Sequence, residues 1–163
     1  MITLCELGDE SNTLKILESI EKNNNYKSFD YNETDEFNDS PLLLSCRHKT
    51  DKVALKLLEF PDINYNNFNN IGNSALLLSC YFNKESIALK LLEYKDINYN
   101  QKNIWKKTAL MYACRNNIES VALKLLEYKD INYNQININK ETDRKSTRLN
   151  SSHEIPSRMP SSA

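Results

Sequence analysis

Ser40-Pro41-Leu42-Leu43-Leu44-Ser45-Cys46 is written again as Ser74-Ala75-Leu76-Leu77-Leu78-Ser79-Cys80, and a third time as Thr108-Ala109-Leu110-Met111-Tyr112-Ala113-Cys114. The copies stand 34 residues apart. Behind each comes Val53-Ala54-Leu55-Lys56-Leu57-Leu58-Glu59, which returns from Ile87 to Glu93 and from Val121 to Glu127. Each unit closes on Asp62-Ile63-Asn64-Tyr65-Asn66 or its copies, Asp96 to Asn100 and Asp130 to Asn134. A fixed period of this length specifies a solenoid, in which every unit buries its apolar face against its neighbours alone.

One unit can be read physically. Thr108 has the hydroxyl that satisfies an exposed amide at a helix start. A short helix is expected from Ala109 to Arg115, with Leu110, Ala113 and Cys114 recurring on its buried side. Asn116-Asn117 supplies a turn, because Asn tolerates left-handed backbone. A second helix follows over about Ile118 to Glu127, with Val121, Leu125 and Leu126 inward and Lys124 and Glu127 outward. Ile131-Asn132-Tyr133-Asn134 then alternates like a short extended arm.

These units resemble the ankyrin repeat over roughly residues 1–142. The resemblance rests on the Thr/Ser-Pro/Ala-Leu opening, the small residue before Cys, the Val/Ile-Ala-Leu-x-Leu-Leu helix and the Asp-Ile-Asn closing. Gly72 stands where the family places its turn glycine; Lys106 replaces it in the third unit. Tetratricopeptide repeats share the period, but their Trp, Gly and Pro landmarks are missing. The resemblance implies an all-α solenoid of helix-turn-helix repeats with short extended hairpin arms. It divides the chain into a capping unit at 1–36, repeats at about 37–70, 71–104 and 105–138, and a truncated fourth. In the capping unit, Leu4-Cys5 and Leu14 to Glu18 match the later copies with extra residues inserted around Glu21 to Lys27. Glu6, Asp9 and Glu10 suit its water-facing side.

The end of the chain breaks the pattern. Asp143 to His153 and Ser157 to Ala163 resemble the in-frame translation of a short-read sequencing adapter, with Glu154-Ile155-Pro156 at its index. Residues 143–163 are accordingly expected to be non-native and disordered. Thr142 lies one period after Thr108, so the natural chain is expected to continue into a fourth repeat.

A net charge of −1 supplies no basic footprint for nucleic acid and no polybasic stretch for a membrane surface. No apolar run approaches the roughly 20 residues that span a bilayer. The N-terminus lacks the basic and apolar regions of a secretory signal, which gives a cytoplasmic expectation.

No constellation points to catalysis, a cofactor or a metal. Cys5, Cys46, Cys80 and Cys114 recur with the repeat, and helices stacked about 8–10 Å apart hold them too far from one another for disulfides. They read as small core residues. His48 has no Ser or Cys motif beside it and is expected at the solvent side of its helix. By the resemblance, the concave face is lined by hairpin tips and by outward residues of each first helix. The matching columns are Leu44/Leu78/Tyr112, Arg47/Tyr81/Arg115, His48/Phe82/Asn116 and, at the tips, Phe37/Ile71/Trp105. Aromatic and Arg side chains are enriched at interface hot spots. Tyr81, Phe82, Tyr112, Arg115, Arg47 and Trp105 are therefore the expected contacts of a protein partner. The chain reads as a non-catalytic, monomeric interaction scaffold. The alternative is the recognition fragment of a larger enzyme, a kinase or ubiquitin-ligase subunit, truncated after Thr142.

Overall fold

In each repeat the helix begins where the side chain of the preceding residue closes it. Ser40, Ser74 and Thr108 sit in extended backbone, and their hydroxyls accept the amides of Leu43, Leu77 and Met111 at 3.4, 3.3 and 3.2 Å. This satisfies one of the free N–H groups at each helix start. The computed structural model describes residues 1–23 and 30–134. It contains α1 (Ile2–Glu6), α2 (Glu10–Lys22), α3 (Pro41–Arg47), α4 (Asp51–Leu57), α5 (Ala75–Tyr81), α6 (Glu85–Leu91), α7 (Ala109–Arg115) and α8 (Glu119–Leu126). Pro41 opens α3 where a missing N–H costs nothing.

The helices stack in two rows. α1, α3, α5 and α7 pack in succession, and α2, α4, α6 and α8 form the row behind them. In α3, α5 and α7 every residue except the last is buried, as expected of helices apolar on all sides. The second row is amphipathic: Val53, Ala54 and Leu57 are buried in α4, and Val121, Ala122 and Leu125 in α8. Leu126 is half-buried, where its counterparts Leu58 and Leu92 are buried. The expected outward pairs form on the exposed side, Lys56–Glu59, Lys90–Glu93 and Lys124–Glu127.

All four cysteines are buried thiols outside any disulfide. Ser45 Oγ donates to the carbonyl of Pro41 at 2.7 Å and lies 3.8 Å from Cys5 Sγ. Ser79 repeats this with Ala75 and with Cys46 Sγ at 3.5 Å. The Cys5 and Cys46 thiols thus pack against the first helix of the following repeat. Burial pushes the Cys46 thiol up to about 12 and raises those of Cys5 and Cys80.

In the capping unit, part of the insertion lengthens a helix. α2 runs to Lys22, and from it Glu21 reaches Lys56 at 2.7 Å. The remainder of the expected insertion, the adapter-like tail and the start of the fourth repeat lie outside the described residues.

The closing segments are short arms without regular strands. No strand forms among the described residues, where the arms contribute one isolated antiparallel bridge, Phe68 with Ser74. The physical reason is a ladder of asparagines. Asn32 accepts the amide of Asn64 (2.8 Å) and donates to the carbonyl of Asp62 (2.8 Å). Asn66 does the same to Asn98 and Asp96 (2.8 and 2.9 Å), and Asn100 to Asn132 and Asp130 (3.1 and 2.8 Å). Each carboxamide thereby supplies the hydrogen bonds that a β ladder would have made. Beside the ladder, Tyr65 stacks on Tyr94 at 4.2 Å and Tyr99 on Tyr128 at 4.1 Å. The hydroxyls of Tyr94 and Tyr128 donate back to the carbonyls of Leu58 and Leu92 in the preceding repeats.

Candidate interaction surface

Each tip loop is built on one side chain at the same register position. Asp35 Oδ1 accepts the amides of Phe37 and Asp39 at 2.9 and 2.7 Å. Asn69 Oδ1 accepts those of Ile71 and Asn73 at 3.3 and 2.9 Å, and Asn103 Oδ1 those of Trp105 and Lys107 at 3.1 and 3.0 Å. These are side-chain-stabilised turns, and they lift the next two residues to the loop apex. The turn then needs left-handed backbone, found at Asn38 (φ 62), Gly72 (φ 78) and Lys106 (φ 57). Successive tips are tied together: the Asn70 amide donates to the Phe37 carbonyl at 2.9 Å and Ile104 to Ile71 at 3.0 Å.

The side chains so displayed are apolar. Phe37 is 59% exposed, Ile104 60% and Trp105 42%, while Ile71 is half-buried. Exposed large apolar side chains gathered on one rigid edge mark a contact surface.

The first-helix row ends in a second group. Tyr81, the last residue of α5, is 50% exposed, and Phe82 beside it 38%. Their rings meet edge-to-face at 4.8 Å, and Tyr81 also meets Tyr112 at 5.0 Å. Arg115 closes α7 and is exposed. Asn116 donates to the carbonyls of Cys80 and Tyr81 at 2.8 and 2.9 Å, so a residue of the next repeat caps α5 and fixes this ridge.

Two expected contacts are placed otherwise. Tyr112 is 8% exposed and lies beneath Tyr81 instead of beside it, with its hydroxyl accepting from Asn103 Nδ2 at 3.2 Å. Leu44 and Leu78 in the same column are buried too. Burial accordingly raises the phenol of Tyr112. Arg47 is engaged by the buried carboxylate of Asp39 at 2.5 Å and is half-buried. His48 is half-buried at the end of α3, more enclosed than a solvent-side residue. Ile104 was not singled out by sequence, although its column holds the polar Glu36 and Asn70 elsewhere, which marks an isoleucine there as unusual.

Among the described residues no three His, Cys, Asp or Glu side chains converge on a point that could hold a metal. No helix of the described residues is long and apolar enough to cross a membrane.

Residues 69–140 match the family model for ankyrin repeats (3 copies). Before the matched residues, α3 and α4 repeat the serine cap, the buried thiol and the closing turn of the matched units. Among solved structures, the chain is similar to one in the complex of the predatory endopeptidase Bd0816 from Bdellovibrio bacteriovorus with the immunity protein Bd3460. The TM-score is 0.68 at 22% identity, over 86% of this chain and 70% of that one. No curated protein matches the sequence significantly.

Proposed function

We propose that this chain is a monomeric, cytoplasmic protein-interaction module with no catalytic activity of its own, and that its ankyrin repeats hold the partner on the ridge formed by Tyr81, Phe82 and Arg115 together with the tips at Phe37, Ile104 and Trp105. The observation that carries this reading is the exposure of these side chains on backbone fixed by cross-repeat hydrogen bonds. A preorganised aromatic ridge loses little entropy on binding, which is what lets a few residues dominate an interface. The outer helices carry Lys–Glu pairs that are solvated and therefore weak.

A photo-reactive residue placed at position 81 or 115 captures the partner from source cells, whereas one at position 90 does not. Against the purified partner, the Y81A/F82A/R115A variant then loses at least about tenfold in affinity, and K90A/E93A changes it by less than about twofold. The reverse ordering would place the interface on the outer helices and end this reading.

A further inference from the structure

We infer that the interaction surface is polarised, and that it takes an extended protein segment with a basic end over the first tip loop and an acidic end over the third. This rests on the binding role proposed above and names the partner's chemistry. From Asp30 to Cys46 the chain has no basic residue and carries Asp30, Glu33, Asp35, Glu36 and Asp39. From Ile63 to Asn83 it has no charged residue at all. From Ile97 to Ile118 it has no acidic residue and carries Lys102, Lys106, Lys107 and Arg115. Three successive tips of one fold are therefore acidic, neutral and basic.

Not every charge in that gradient is available. Asp39 is paired with Arg47, and Asp35 holds two amides of its own loop. Glu33 and Glu36 are exposed and form the acidic end; Lys106 and Arg115, both exposed, form the basic end from the tip and from the helix row. Repeats stacked about 10 Å apart put these ends about 20 Å from each other. That exceeds the Debye length of about 8 Å at physiological salt, so the two ends do not neutralise one another and each selects its own counter-charge. At about 3.3 Å per residue, an extended segment spans the distance in about six residues. Between them, its apolar side chains meet Ile71, Tyr81 and Phe82.

A second copy lying antiparallel offers the same charges. It fits less well on area, because a stable dimer needs about 800 Å² from each partner and the tips form a narrow ridge. An extended segment instead rests in the angle between tips and helix ends and touches both walls.

The experiment selects random twelve-residue peptides on the full chain and on the variant E33K/E36K/K106E/R115E, with K106E alone as a milder change. On the wild type the expected selection has a Lys or Arg about six positions from an Asp or Glu, around apolar residues. The reversed variant selects the opposite order, and a wild-type peptide binds it at least about tenfold more weakly. Peptides that depend on Tyr81 and Phe82 but show no charge order overturn the polarity and leave the interaction module standing. Failure to select any peptide, together with sedimentation showing dimers that the reversed variant abolishes, overturns the inference in favour of a second copy. Selected peptides indifferent to Tyr81 and Phe82 overturn both this inference and the binding surface beneath it.

Discussion

Gly72 and Lys106 occupy the same turn position, both in left-handed backbone, but the first site excludes a side chain and the second carries one. A Cβ on Gly72 would lie 2.9 Å from Asn103 Cα and 3.0 Å from the Lys102 carbonyl oxygen, since the third tip packs directly over the second. Both contacts are backbone and have no rotamer by which to yield. Gly72 also sits at φ 78, where a Cβ is strained whatever the space. Lys106 bears a Cβ at φ 57, which costs about 1–2 kcal/mol relative to a right-handed conformation. Gly72→Ala should therefore destabilise the protein by about 2 kcal/mol or more. Lys106→Gly should stabilise it by up to about 1 kcal/mol once the entropy of glycine is subtracted. Urea midpoints of the two variants check this; equal and opposite signs to those stated would show that the tips do not adopt this turn.

At the scale of elements, the closing turns hold the solenoid together more than their short length suggests. Asn66 joins the end of one repeat to the next through two hydrogen bonds, to the Asn98 amide and the Asp96 carbonyl. Asn66→Ala should cost about 1 kcal/mol in urea unfolding. Asn64→Ala removes the same chemical group from an exposed residue that joins the ladder through its backbone amide alone, and should change stability by much less. Equal effects would mean that the ladder contributes nothing beyond local turn propensity. The helices were legible in sequence because cap, apolar period and turn agreed: α7 spans Ala109 to Arg115 as its Thr108 cap and its stripe require. The arms were not. Ile131-Asn132-Tyr133-Asn134 has the alternation of a strand, but alternation does not reveal where an Asn carboxamide reaches across the repeat boundary. Tyr112 was misplaced for a related reason. The 3.6-residue period separates inner from outer sides of a helix, yet the base of the tip loop covers part of what the period leaves open, and Asn103 claims the phenol there. Tyr81 and Phe82 lie one turn further along, past that cover, and are exposed.

The whole molecule is threaded by a column of thiols, one per repeat, and that column sets its response to alkali. In water a cysteine ionises near 9.0, but burial pushes Cys46 up to about 12 and raises Cys5 and Cys80 as well. Tyr112 is raised by the same cause. A thiolate has no favourable site between stacked first helices, so the folded chain keeps these protons after the unfolded chain has released them. The native state then binds more protons than the unfolded one, and stability falls as pH rises. Below about pH 9 both states are protonated and the stability is fully present; between about 9 and 12 it is progressively lost. Cys46→Ala removes one ionising group at the price of a small cavity, so it should be less stable than the wild type at pH 8 yet lose less stability between pH 8 and pH 10.5. Urea unfolding at the two pH values under reducing conditions measures both effects. A thiol reagent at pH 8 should label Cys46 and Cys80 only as fast as the stack opens, so labelling slows when urea is withdrawn and quickens in Asn66→Ala. Immediate labelling of the folded protein, with an unchanged pH slope in Cys46→Ala, would mean that the thiols lie at the surface and that the repeats do not stack over them.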